Sequence, residues 1–147
     1  MEGVSLKSLL LGFIAGAIAM ATVHELASYW LTGAGYSTRE AWSMEPSVLT
    51  GYPQLATDAV FGGIWGAIFA ILLGNPPRGS MTFKGILLGI IGPAVIGTLA
   101  LVPFLKQEPL FLGHDFTLIW PVLVMGAAFG AGTAWLYGFL TSGCRLP

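Results

Sequence analysis

His24 and Glu25 stand side by side within an otherwise apolar run, and Asp58 opens a second such run. A charge at the centre of a membrane helix costs about 2.5 to 3.5 kcal/mol on insertion scales, so residues of this kind mark functional sites by default. His114 and Asp115 form another pair ahead of the last apolar run. Gathered at one end of a helical bundle, with His24 facing Asp58, Glu25 alongside and the later pair arriving from a loop, these five make a titratable cluster. An imidazole near carboxylates holds a proton in the physiological range, binds a divalent metal, or hydrogen-bonds the polar head of a quinone or lipid. The structural alternative is that His24 and Asp58 bond each other or the backbone and fix helix register, with Asp115 capping the helix ahead of Thr117.

The elements that must position these residues are legible in the glycines. Stepping back from His24 by fours gives Met20, Gly16 and Gly12, and stepping forward from Asp58 gives Gly62 and Gly66, so both polar residues extend small-residue stripes. Gly85 and Gly89, then Gly126 and Gly130, repeat the spacing. Helices in lipid gain nothing from hiding apolar surface against one another, and they associate where small residues let backbones approach. A span needs about 20 mainly apolar residues, which predicts helices over 6–31, 56–74, 84–105 and 117–140. Of 147 residues 55% are hydrophobic and 9% charged, against about a quarter charged in a soluble domain. The chain therefore reads as all-α: one integral-membrane four-helix bundle over residues 1–147, multi-pass in a bacterial or archaeal cytoplasmic membrane.

Composition also excludes. A net charge of −1 without a basic run supports neither nucleic-acid binding nor an anionic-lipid patch. The single cysteine, Cys144, leaves no internal disulfide, cysteine-based zinc cluster or Cys-x2-Cys-His haem attachment. A haem held between helices needs two intramembrane histidines, and His24 has no such partner because His114 belongs to a loop. No nucleophile elbow or phosphate-cradling loop is present, and His24-Glu25 lacks the second histidine of a zincin. No metal site and no intrinsic cofactor is expected; a bound lipid or quinone fits. The first apolar run continues to Trp30 and three more follow, so it reads as a retained helix rather than a secretory signal. Lys7, Arg78, Lys84 and Arg145 flank one set of helix ends, and Arg39 and Lys106 the other, which places both termini in the cytoplasm.

The first and third spans align at an offset of 77, Gly12 on Gly89, and the second and fourth at 64, Gly62 on Gly126 and Gly66 on Gly130. Two tandem helical hairpins sharing one orientation account for this; chance matching of Gly, Ala and Leu is the alternative. At these offsets His24 falls on Leu101, Glu25 on Val102 and Asp58 on Val122, so only the first hairpin carries the polar residues. The connection Gly74 to Ser80 reads as a tight turn. In the longer loop 32–55, Ser37 to Glu40 predicts a cap for a short surface helix through Trp42 to Met44. Tyr29, Trp30, Trp42, Tyr52 and Trp120 read as one aromatic belt, and Phe83, Trp135 and Tyr137 as the other. Pro93 predicts a bend in the third helix.

The pattern Lys7-x3-Leu11-Gly12-x3-Gly16, followed by Phe61-Gly62-x3-Gly66-x2-Phe69-Ala70 and recurring as Gly126-x2-Phe129-Gly130, resembles small uncharacterised four-span inner-membrane proteins of the YagU-like kind. The resemblance implies a four-helix membrane component and no particular substrate. With almost no mass outside the spans, the leading functional expectation is a non-catalytic accessory subunit of a larger membrane complex, such as a respiratory or photosynthetic electron-transfer assembly or a terminal oxidase. Its partners would be other integral-membrane subunits and lipids. The alternative is a small oligomeric transporter or proton-linked permease that uses His24, Glu25 and Asp58.

Overall fold

The computed structural model describes residues 5–74 and 80–142. Arg78, Cys144, Arg145 and the turn expected at 75–79 lie outside them. Four helices follow one another: α1 (Leu6–Gly33), α2 (Gln54–Leu73), α3 (Met81–Lys106) and α4 (Phe116–Ser142). Each is long and apolar enough to cross a membrane. Their limits fall within three residues of those the hydropathy predicts. The chain punctuates itself as the residue types require. The Oγ of Ser5 accepts from Ser8 N at 3.1 Å and that of Ser80 from Phe83 N at 3.2 Å, each satisfying a donor the first helical turn leaves open. Gly74 ends α2 at φ +81°, a conformation closed to residues with a Cβ.

The glycine stripes are where the hairpins cross. A Cβ on Gly12 would lie 2.5 Å from Gly66 O, and one on Gly85 would lie 2.5 Å from Gly130 O. Gly16 against Gly62, Gly66 against Gly12, and Gly89 against Gly126 are closer still. All eight stripe glycines are thus spent inside the chain, α1 on α2 and α3 on α4. Between the hairpins α1 also lies along α4, with Val23 filling the notch at Gly132, and α2 meets α3 where Trp65 covers Gly92 and Phe61 covers Gly97. Ala15, Ala19, Phe69, Ala70, Phe129 and Ala134 fill the centre.

The matched crossings correct the repeat's register. Gly85 takes the place of Gly12 and Gly89 that of Gly16, so α3 corresponds to α1 at an offset of 73, one helical turn less than 77. Further along, Ala94 fills against Gly126 the place Met20 fills against Gly62, an offset of 74. The extra residue is absorbed by wide i→i+5 turns, which run over Ile90–Leu101 in α3 and over Met20–His24 in α1; such turns are how a helix takes in one additional residue. Pro93 lies inside the α3 stretch, where its missing N–H and its ring disfavour the ordinary ladder.

Two further expectations are corrected. Trp42 to Met44 form no helix; the segment 34–53 is irregular, with an isolated bridge between Pro46 and Pro53. Ser37 Oγ accepts from Arg39 N at 3.1 Å and Thr32 Oγ1 donates to Arg39 O at 2.6 Å, so contacts that turn the loop inward override the capping signal. Tyr137 is fully buried rather than part of a belt, and its hydroxyl donates to Gly74 O at 3.1 Å. Tyr29, Trp30, Tyr52 and Phe83 are exposed as expected.

Because backbone oxygen rather than a yielding side chain faces Gly66, Gly66→Leu should destabilise the protein by about 3 kcal/mol, the upper end for overpacking. Gly33, with nothing within 4 Å of its Cβ position, should accept Ala without loss. Thermal unfolding of the two variants in detergent checks the contrast, and equal midpoints would refute it.

Candidate functional site

The site starts from a charge imbalance. Glu25 is 1% exposed in α1 and Asp58 stands in the first turns of α2, and two carboxylates inside a bundle need a cation. Arg39 supplies it from the loop between them. Its guanidinium grips Glu25 in a fork, Nη1 to Oε2 at 3.1 Å and Nη2 to Oε1 at 2.7 Å, and Nη2 also donates to Asp58 Oδ2 at 2.6 Å. Nη1 reaches the buried Ser28 Oγ at 3.0 Å. A planar guanidinium suits this work because its donors diverge in fixed directions; an ammonium is a point charge. Burial disfavours the Arg39 cation, but the carboxylates of Glu25 and Asp58 outweigh that and hold its pKa above the ordinary arginine value.

The remaining acceptors are filled locally. Trp42 N donates to Glu25 Oε2 at 2.7 Å, and His24 Nδ1 lies 3.2 Å from Glu25 Oε1. Gln54 Nε2 donates to Asp58 Oδ1 at 2.7 Å. Trp42 Nε1 donates to Ala21 O at 2.8 Å, within the wide turns of α1 where the regular ladder is broken. The long loop is therefore pinned to both helices of the first hairpin. With the Glu25 carboxylate against Nδ1, neutral His24 carries its proton there, which leaves Nε2 an acceptor with no partner among the described residues.

Of the five residues singled out from the sequence, the structure brings three together. His24 and Asp58 do not bond each other; each is tied in through Glu25 or Arg39. His114 and Asp115 are exposed and stand apart. The His114 ring stacks on Phe111 with centroids 6.2 Å apart, and Asp115 Oδ1 accepts from Thr117 N at 3.0 Å and Thr117 Oγ1 at 2.7 Å, as a helix cap does. Among the described residues no three His, Cys, Asp or Glu side chains converge as a metal site. Arg39, Ser28 and Gln54 were missed. Charge parity was the available signal for Arg39, the one cation between the two carboxylates along the chain.

The cluster forms one wall of a cleft of about 900 Å³ that lies between the hairpins and is lined by all four helices. Corresponding residues line it from both sides: His24 and Thr98, Gln54 and Leu118, Thr57 and Pro121, Asp58 and Val122, Phe61 and Met125. Glu25 and its counterpart Leu99 are each 1% exposed behind it. In each of these unlike pairs that has a polar member, the first hairpin holds the more polar one. The cleft floor, with Met20, Pro93, Ala94, Met125 and Phe129, is apolar, and Lys106 stands at the rim on the α3 side. This arrangement can hold an amphipathic molecule with its polar end at the loops.

Comparison with protein-family models, with curated proteins and with solved structures finds no match.

Arg39→Ala should destabilise the protein by about 3 kcal/mol, the low end for leaving a buried charge unpaired, since the guanidinium is itself partly exposed. Arg39→Lys should recover only part of the loss, and adding Glu25→Gln to Arg39→Ala should recover some of it by removing the orphaned charge. Unfolding midpoints in detergent report all three, and an Arg39→Ala protein as stable as the parent would show that the loop is held some other way.

Proposed function

We propose that this chain is a non-catalytic accessory subunit of a larger integral-membrane complex, and that its contribution is a binding cleft for an amphipathic molecule, a lipid or a quinone. The observation that carries the reading is the saturated state of the Glu25 carboxylate beside an open cleft. Both oxygens of Glu25 accept from Arg39, and Trp42 N and His24 complete its partners, so the carboxylate is held in place and is not free to shuttle protons. Exposed Leu10, Ile18, Ile64, Ile91 and Ile96 give the bundle an apolar coat, suited to acyl chains and to neighbouring helices.

A respiratory or photosynthetic electron-transfer complex, such as a terminal oxidase, is the kind of assembly we have in view. What supports it is chemical fit: such complexes work among quinones and lipids, molecules whose polar head and long tail match the polarity of the cleft. The membrane would be a bacterial or archaeal cytoplasmic membrane with both termini inside; Lys7 and Lys84 stand at the end of the bundle where α1 begins and α4 ends, while Arg39 is drawn into an internal ion pair.

One observation favours the second reading, a small oligomeric transporter or proton-linked permease. Transporters built from repeats place their sites where the repeats meet, and this cleft has that position. Gentle solubilisation followed by native electrophoresis separates the readings. The first expects comigration with larger redox-active subunits, the second a homo-oligomer, and a stable lone monomer counts against both.

A further inference from the structure

Along the helices that wall the cleft, most polar side chains already have partners. Asp58 accepts at both oxygens, from Gln54 and from Arg39. Thr57 Oγ1 donates to Pro53 O at 3.2 Å, and Thr117 Oγ1 to Asp115 at 2.7 Å. Away from the loops and the helix ends, two groups that line the cleft have no partner among the described residues: His24 Nε2 on α1 and Thr98 Oγ1 on α3. Neither is sealed off, because Thr133 Oγ1 is the one buried side-chain polar atom without a partner among the described residues.

The two groups stand at one level. They hold corresponding places in the two hairpins, His24 nine residues before the end of α1 at Gly33 and Thr98 eight before the end of α3 at Lys106. The His24 ring is fixed in orientation, since Glu25 Oε1 lies 3.2 Å from Nδ1 and the ring stands edge-on to Phe129 with centroids 6.3 Å apart. With the proton of the neutral ring on the Glu25 side, Nε2 on the far side can only accept, whereas a threonine hydroxyl can donate or accept. Phe61, Met125 and Phe129 line the same cleft, apolar surfaces that suit an aromatic ring.

We infer that the cleft binds a quinol in preference to its quinone, one ring hydroxyl donating to His24 Nε2, with Thr98 available to the second ring oxygen from the other hairpin. The carbonyl oxygens of a quinone only accept, so the oxidised form would leave Nε2 desolvated and unpaired. A lipid alcohol such as a diacylglycerol can donate to Nε2 but has no flat ring to carry a second oxygen across to Thr98. This deepens the binding role proposed above and rests on it, but not on membership of a larger complex.

Native mass spectrometry of the delipidated full chain in detergent, kept under argon, tests this with a decyl-tailed benzoquinol, the matching quinone, the dimethyl ether of the quinol and a diacylglycerol. The quinol should bind at one molecule per chain, about tenfold more tightly than the quinone or the ether, the cost of leaving one desolvated acceptor unpaired. The ether, which has the same ring without an O–H, makes this comparison on the unaltered protein. His24→Leu should erase the preference, weakening the quinol about tenfold and leaving the quinone unchanged. Thr98→Val, which keeps the shape of the side chain, should weaken both forms about threefold, as loss of one ordinary hydrogen bond does, with the preference intact. Circular dichroism and gel filtration check that the variants stay folded. Equal binding of quinol, quinone and ether, a preference that outlives His24→Leu, or a diacylglycerol that displaces the quinol overturns the quinol while leaving a binding cleft. Quinol binding untouched by Thr98→Val overturns the two-sided site. If no probe binds at all, the binding role falls with it.

Discussion

Two carboxylates on adjacent helices, both withdrawn from water, repel each other and forfeit their hydration, and neither loss is recovered unless one cation reaches both. Arg39 does so at 2.7 Å and 2.6 Å, and the other features of that end of the molecule follow from where its guanidinium must lie. The loop has to fold inward to deliver it, which brings Trp42 N onto Glu25 and the Trp42 indole onto Ala21 O. The loop so placed forms the rim of the cleft, with Tyr36, Ser37 and Thr38 along its edge. Breaking a buried pair costs far more than the pair contributes relative to an apolar substitute, so the cluster acts as a latch that fixes one loop conformation more than as a source of stability.

At the opposite end, backbone approach does the equivalent work. The two hairpins use the same crossing, Gly12 and Gly16 on Gly66 and Gly62, Gly85 and Gly89 on Gly130 and Gly126. Where oxygen lies against Cα no side chain can be interposed, and the crossing point is set to within a fraction of a residue. This common frame lets residues of the two halves be compared across the cleft, and it shows that polarity differs between halves while position does not.

The span limits were readable because a membrane helix declares itself by length and hydropathy, and the glycine pairs because their spacing has one geometric use. The register of the repeat was not. Matching Gly12 to Gly89 gives the better string of identities, but the residue in the place of Gly12 is Gly85, which meets Gly130 as Gly12 meets Gly66, since contact across a hairpin depends on the partner helix and not on local similarity. The wide turns in α1 and α3 shift the register by a further residue; Pro93 marks the stretch in α3, and the turns in α1 leave no compositional trace. Arg39 looked like an ordinary loop charge, and the Ser37 to Glu40 stretch like the start of a helix. Both readings fail for one reason: the tertiary demand of Glu25 and Asp58 overrides a local preference worth about 1 kcal/mol. His114 and Asp115 share the residue types of the cluster but sit on a turn where Phe111 and Leu112 take left-handed angles, and nothing in their spacing to His24 told that they would point elsewhere.

The correspondence of Asp58 with Val122 and of Glu25 with Leu99 has a consequence for how such a molecule can be built. Were the second hairpin identical to the first, as in a dimer of a two-helix protein, every acid would meet its own copy across the axis, and two guanidinium groups would crowd the same entrance. Joining both hairpins in one polypeptide frees each to change alone. One half keeps its ions, the other becomes a neutral backing for them, and the space between can be lopsided, which no assembly of identical halves permits.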